Sequence, residues 1–159
     1  MPDHVPVRGL FEAHLTVADM DRSVRFYGDV VGLVPALEVP NRSAAFFWIG
    51  EPGRAMLGLW SLGSMPMGLS LHVAFSASVA DVLAACDRLR GLGVTPLSFF
   101  AEETDEPSVI AWMPAAAVYF RDPDGHLLEY VAMLDEPPRP ELAIVSWSQW
   151  AGANPSATA

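Results

Sequence analysis

The chain has 159 residues, with nine Lys+Arg against nineteen Asp+Glu and a formal net charge of −10. Its 52% hydrophobic content supplies one substantial core and excludes disorder along the whole chain. The acidic balance excludes a nucleic-acid backbone or an anionic membrane as partner, since both demand clustered basic side chains.

Cys86 is the one cysteine, so neither an intrachain disulfide nor a Cys-rich zinc site is available. The opening residues lack the basic and apolar regions of a secretory signal, and His4 has no assigned role. No run approaches the ~18 apolar residues of a membrane span, so a cytoplasmic location is expected. Residues 10–18 alternate, with Phe11, Ala13, Leu15 and Val17 on one face and Glu12, His14 and Thr16 on the other. This predicts a half-buried strand with a polar face. Met20, Val24, Tyr27 and Val31 then recur at helical spacing after Asp19 as N-cap, with Tyr27 on the apolar stripe. Strands follow near 34–39, 44–49 and 54–61.

Residues 69–76 repeat the alternation, with His72 on the polar face, and Val79, Val82, Leu83, Cys86 and Leu89 repeat the helix after Ser78. Both helices close on glycine, Gly32 and Gly93. Strands are predicted near 94–100, 115–121 and 126–132, the last two joined by the turn Asp122-Pro123-Asp124-Gly125. The acidic segment 101–107 is an insertion in the second half alone and reads as a surface loop. The fold class is therefore α+β, a βαβββ unit used twice. Beyond 135, a Pro-rich linker leads to the apolar segment 141–150, which docks on the body or on a partner. Residues 151–159 read as frayed.

His14 and His72 occupy the same position in the two repeats, 58 residues apart, so a pseudo-twofold would bring both imidazoles to one place. Glu129 stands in an otherwise apolar closing strand, where a carboxylate needs a partner or a cation. Two imidazoles and one carboxylate form a facial set for one divalent metal, with open positions for substrate. Fe, Mn, Ni and Zn all suit this N2O donor set. His126, directly after the turn, reads as a surface residue.

These residues resemble the vicinal oxygen chelate superfamily, which includes glyoxalase I, bleomycin-resistance proteins, fosfomycin-modifying thiol transferases and extradiol dioxygenases. The carriers are Ala13-His14-Leu15-Thr16-Val17, the helix ending through Phe26-Tyr27 to Gly32-Leu33, His72, and the closing stretch Tyr119 to Glu129. The resemblance spans roughly residues 9–134. It implies a single glyoxalase-like domain, module one at 9–62 and module two at 68–134, with 135–159 as an extension. The modules would form a cupped, partly open mixed sheet with helices outside. The family's ligands map onto His14, His72 and Glu129, and homodimers of small-molecule enzymes are implied.

One family position departs. Glyoxalase I carries a glutamate in the last strand of module one, where this chain has Gly58. Glu129 is then the expected catalytic carboxylate, and Glu12, on the His14 face, is either a general base or a solvated rim residue. Phe46, Trp48, Met56, Gly58 and Trp60 either line a substrate pocket or belong to the core, and Trp112 and Tyr119 line its other side or pack beneath the helices. The expected activity is metal-dependent binding of vicinal oxygens with stabilisation of an enediolate-type anion, lyase- or isomerase-like. Extradiol dioxygenation and metal-free sequestration of bleomycin-resistance type are the alternatives. The low basic content argues against a dianionic substrate of fosfomycin type.

Overall fold

The computed structural model describes residues 10–40, 43–61 and 71–154. His4, the expected module limits at 9, 62 and 68, the strand start at 69–70 and the tail from 155 lie outside these residues. The chain divides into two compact units, residues 1–68 and 69–159.

In the first unit the alternating segment forms β1 (Glu12–Val17), with Leu15 and Val17 buried and Glu12 and His14 exposed. Helix α1 (Met20–Arg25) starts where Asp19 accepts the Arg22 backbone N–H at 2.9 Å, and a π-helical turn continues it over Phe26–Val30. Gly32, at φ 78°, reverses the chain after the turn, a conformation that costs glycine nothing. Strands β2 (Val34–Val39), β3 (Ala44–Ile49) and β4 (Ala55–Ser61) complete a four-stranded mixed sheet in the order β1-β4-β3-β2, with β1 parallel to β4. Leu15, Phe47, Leu57 and Leu59 pack with Tyr27 in the core, and Tyr27 is fully buried as its place on the apolar stripe predicts.

The second unit repeats the device. Strand β5 (His72–Ser76) leads to α2 (Val79–Leu83), capped by the Ser78 side chain, and then to α3 (Ala85–Gly91). The predicted continuous helix is interrupted at Ala84 (φ −87°, ψ −4°), where α2 ends and α3 begins. Strands β6 (Ser108–Ile110), β7 (Ala115–Arg121), β8 (Leu127–Met133) and β9 (Ile144–Ser146) give the order β5-β8-β7-β6-β9. The mixed α+β class is as expected.

Two local expectations are corrected. The strand predicted at 94–100 is absent: Leu97 makes isolated bridges to Tyr119 and Glu103. Its backbone groups are taken by local bonds instead, with Ser98 N–H on Glu102 O, Ala101 N–H on Ser98 O and Phe99 N–H on Ser108 Oγ. His126 is buried, at 3% exposure, because its Nδ1 accepts the Leu71 N–H that enters β5 while its own N–H donates to Asp122 Oδ1.

The C-terminal segment docks on its own unit. Strand β9 extends the sheet beside β6, and α4 (Trp147–Ala153) starts with a capping box made by Ser146 and Gln149. Trp150 is fully buried against Val109 and Ala111, with Leu134, Leu142, Val145 and Trp147 around it. It is therefore core, not a free surface for a partner.

Candidate active site

Parallel pairing of β1 with β4 sets His14 opposite Gly58 and Glu12 opposite Met56, and the antiparallel β3 adds Phe46 and Trp48 to the same two rows. Period two therefore places Glu12, His14, Phe46, Trp48, Met56, Gly58 and Trp60 on one face of the first sheet. Trp60 Nε1–H donates to His14 Nδ1 at 2.6 Å, and His14 Nε2 lies 3.2 Å from Glu12 Oε1. The His14 ring meets Phe46 edge-on at 6.1 Å between centroids. Gly58 is what lets the ring lie there: a Cβ at that position would stand 2.5 Å from His14 Nδ1 and 2.8 Å from Cε1.

On the second unit, His72 Nε2 and Glu129 Oε2 are 2.9 Å apart, with the Glu129 side chain 8% exposed and His72 at 49%. The carboxylate is thus buried while the imidazole reaches outward. Tyr119, paired directly with Glu129 across β7 and β8, donates its hydroxyl to that carboxylate. Burial first, and then the neighbouring negative charge, push the Tyr119 phenol well above its ordinary range. It remains a neutral donor.

Neither unit by itself gathers three metal-binding side chains among the described residues. The donors come in pairs, Glu12 with His14 and His72 with Glu129. The second pair is joined by a hydrogen bond, and its spacing is also one that a divalent ion accepts. Two ligands at adjacent corners of an octahedron with bonds of about 2.1 Å stand about 3 Å apart, and the His72 and Glu129 donor atoms are 2.9 Å apart. His14 has the right donor type, but its Nδ1 is engaged by Trp60.

Of the remaining predicted lining residues, Tyr119 stands beside Glu129 at 5% exposure. Trp112 lies on the β6–β7 turn, 60% exposed and outside β7, the strand that carries Tyr119. Phe99 lies in the segment 94–100, which is predicted as a strand and is a loop in the structure. Its ring is 6.0 Å from that of Tyr119, and Phe100 adjoins it. The signal for both was the Phe-Phe pair directly before the acidic insertion, a place where a loop begins.

Comparison with known proteins agrees with this architecture. The chain is 32% identical over 126 residues to metallothiol transferase FosB of Shouchella clausii, covering 77% of this chain and 79% of that one. It is 27% identical over 126 residues to lactoylglutathione lyase of Haemophilus influenzae, covering 74% and 87%. The crystal structure of lactoylglutathione lyase from Agrobacterium tumefaciens superposes with a TM-score of 0.61 at 26% identity, covering 80% of this chain and 96% of that one. A family model matches residues 5–130, and the chain belongs to the glyoxalase/bleomycin resistance protein/dioxygenase superfamily.

Proposed function

We propose that the protein is a divalent-metal-dependent enzyme acting on a small molecule with two adjacent oxygens, with His14, His72 and Glu129 as the ligands. The observation that carries this reading is the His72–Glu129 pair, a buried carboxylate whose oxygen converges with an imidazole nitrogen at 2.9 Å. When bound, a metal of the Fe, Mn, Ni or Zn kind would act as Lewis acid toward the two oxygens and stabilise an enediolate-type anion.

The chain's own groups supply the rest. Glu129 Oε2 is the site at which a proton is held or passed, and the Tyr119 hydroxyl fixes that carboxylate from the side. Glu12 stands beside His14 as a second carboxylate within reach of the same face. Phe46, Trp48, Met56 and Trp60 form an apolar wall there, and Tyr119 with Phe99 forms one beside Glu129. Lyase or isomerase chemistry uses this arrangement most directly, because proton transfer at an enediolate needs one mobile carboxylate and exclusion of water.

Extradiol dioxygenation uses the same donor types. Thiol transfer to a dianionic substrate, the reaction class suggested by the FosB likeness, needs free guanidinium groups. Arg54, Arg88, Arg90 and Arg139 are paired with acidic side chains, and Arg121 with the Gly125 carbonyl. A metal-free binding protein is the second reading, favoured by the Trp60–His14 bond and the aromatic wall around it. The two modules are taken as one glyoxalase-like domain over 9–134 in a cytoplasmic homodimer, which size-exclusion chromatography tests for the dimer.

The deciding experiment is metal analysis of protein purified without chelator, for the wild type and for His14→Ala, His72→Ala and Glu129→Ala. One metal per chain, lost in all three variants, supports the enzyme. Absence of metal from the wild type, with none taken up on addition, rejects it. Incubation with methylglyoxal plus glutathione, with catechols, and with fosfomycin plus thiols then separates the branches.

A further inference from the structure

We infer that Trp60 is a positioning residue that holds His14 in a parked state, with Nδ1 engaged and the ring proton on Nε2, so that His14 takes a divalent ion only after leaving Trp60. This rests on the reading of His14 as a ligand. The indole N–H is a donor and never an acceptor. At 2.6 Å from His14 Nδ1 it requires a lone pair on that nitrogen. A neutral imidazole then carries its proton on Nε2, which faces the Glu12 carboxylate at 3.2 Å. Turning the ring over would set carbon against both partners and lose both contacts.

A metal on Nε2 needs the opposite tautomer, with the proton on Nδ1, and that would point one N–H at another. Parking and ligation are therefore mutually exclusive for this ring position. Gly58 completes the device, since the ring rests in the space that a Cβ would fill. Two features of one strand, Gly58 and Trp60, thus tune how readily the site loads, and neither touches the metal.

Deleting the donor and filling the space should act in the same direction. In Trp60→Phe and in Gly58→Ala, zinc measured by competition with a chromophoric chelator is expected to bind about three- to tenfold more tightly than in the wild type, the worth of one net hydrogen bond. The gain should vanish in the double variant His14→Ala/Trp60→Phe. Long-range 1H–15N NMR of the metal-free full chain gives a readout independent of any metal. It is expected to show His14 with the proton on Nε2 in the wild type, and a shift toward Nδ1–H in Trp60→Phe. His14 protonated on Nδ1 in the metal-free wild type overturns the inference. Zinc bound equally by wild type and Trp60→Phe, but more weakly by His14→Ala, overturns this inference and leaves the ligand reading standing. Zinc binding indifferent to His14 in every variant overturns both.

Discussion

Glu129 Oε2 lies 2.9 Å from His72 Nε2, with the carboxylate buried and the imidazole half in solvent. A carboxylate so placed is stabilised by whichever positive partner reaches it, and a divalent ion outweighs an imidazole in that role. With zinc at about 100 times its dissociation constant, binding contributes about 2.7 kcal/mol, which raises Tm by roughly 5–10 °C for a chain of this size. Glu129→Gln keeps the shape and removes the charge, so its rise is expected at about 3 °C or less. Equal rises in the two proteins, read by differential scanning calorimetry, would place the zinc elsewhere.

Tyr119 carries the second contact to the same carboxylate. Tyr119→Phe leaves a buried charged acceptor with one donor fewer, a loss of about 1–3 kcal/mol. Urea unfolding of the metal-free protein measures it. A change within about 0.5 kcal/mol, the range of an ordinary surface substitution, would mean that the hydroxyl does not support Glu129.

The parts of this arrangement visible in the sequence were those set by local periodicity. Alternation marked β1 and β5 and put His14 and His72 on their polar faces, and the apolar company of Glu129 marked it as needing a partner. What escaped depends on register between distant strands. The Trp60–His14 bond exists because β1 and β4 run parallel with His14 opposite Gly58, one step along from Trp60. His126 follows a turn and so reads as exposed, but Leu71 closes over it where β5 joins β8. Residues 94–100 read as a strand, yet side-chain oxygens of Ser108 and Ser98 take the Phe99 and Phe100 backbone N–H groups that a ladder would use.

Alkaline stability should be set by few groups. All nine basic residues are arginines, so no lysine titrates between about pH 9 and 12. Burial pushes the Cys86 thiol from 9.0 up to about 11, against a smaller opposing effect from Arg90, and pushes the Tyr130 phenol from 10.0 up to about 12. Burial and the neighbouring Glu129 carboxylate push the Tyr119 phenol higher still, and in all three cases the unfolded chain releases its proton first. Their contribution is therefore full below pH 9 and is lost as pH rises from 9.0 through about 11, about 12 and above. Tm measured from pH 8 upward is expected to hold and then fall from about pH 9, and Cys86→Ala should flatten the first part of that fall. An unchanged slope in Cys86→Ala would assign the loss to other groups.

Trp150 tests whether the C-terminal segment is part of the folded unit. Its side chain is fully buried with Val109 and Ala111, and β9 pairs with β6, which would otherwise be the edge of the sheet. An uncovered edge strand exposes a row of unpaired backbone groups and invites association. Trp150 Nε1 is buried without a hydrogen-bond partner among the described residues, so the residue acts through its apolar surface alone. Trp150→Phe therefore loses no hydrogen bond and should cost far less than Trp150→Ala, for which about 3–5 kcal/mol is expected from the lost contacts and the cavity. Urea denaturation orders the two variants, and light scattering should show Trp150→Ala associating as the β6 edge opens. Equal and small losses in both would mean that the segment rests on the unit without stabilising it.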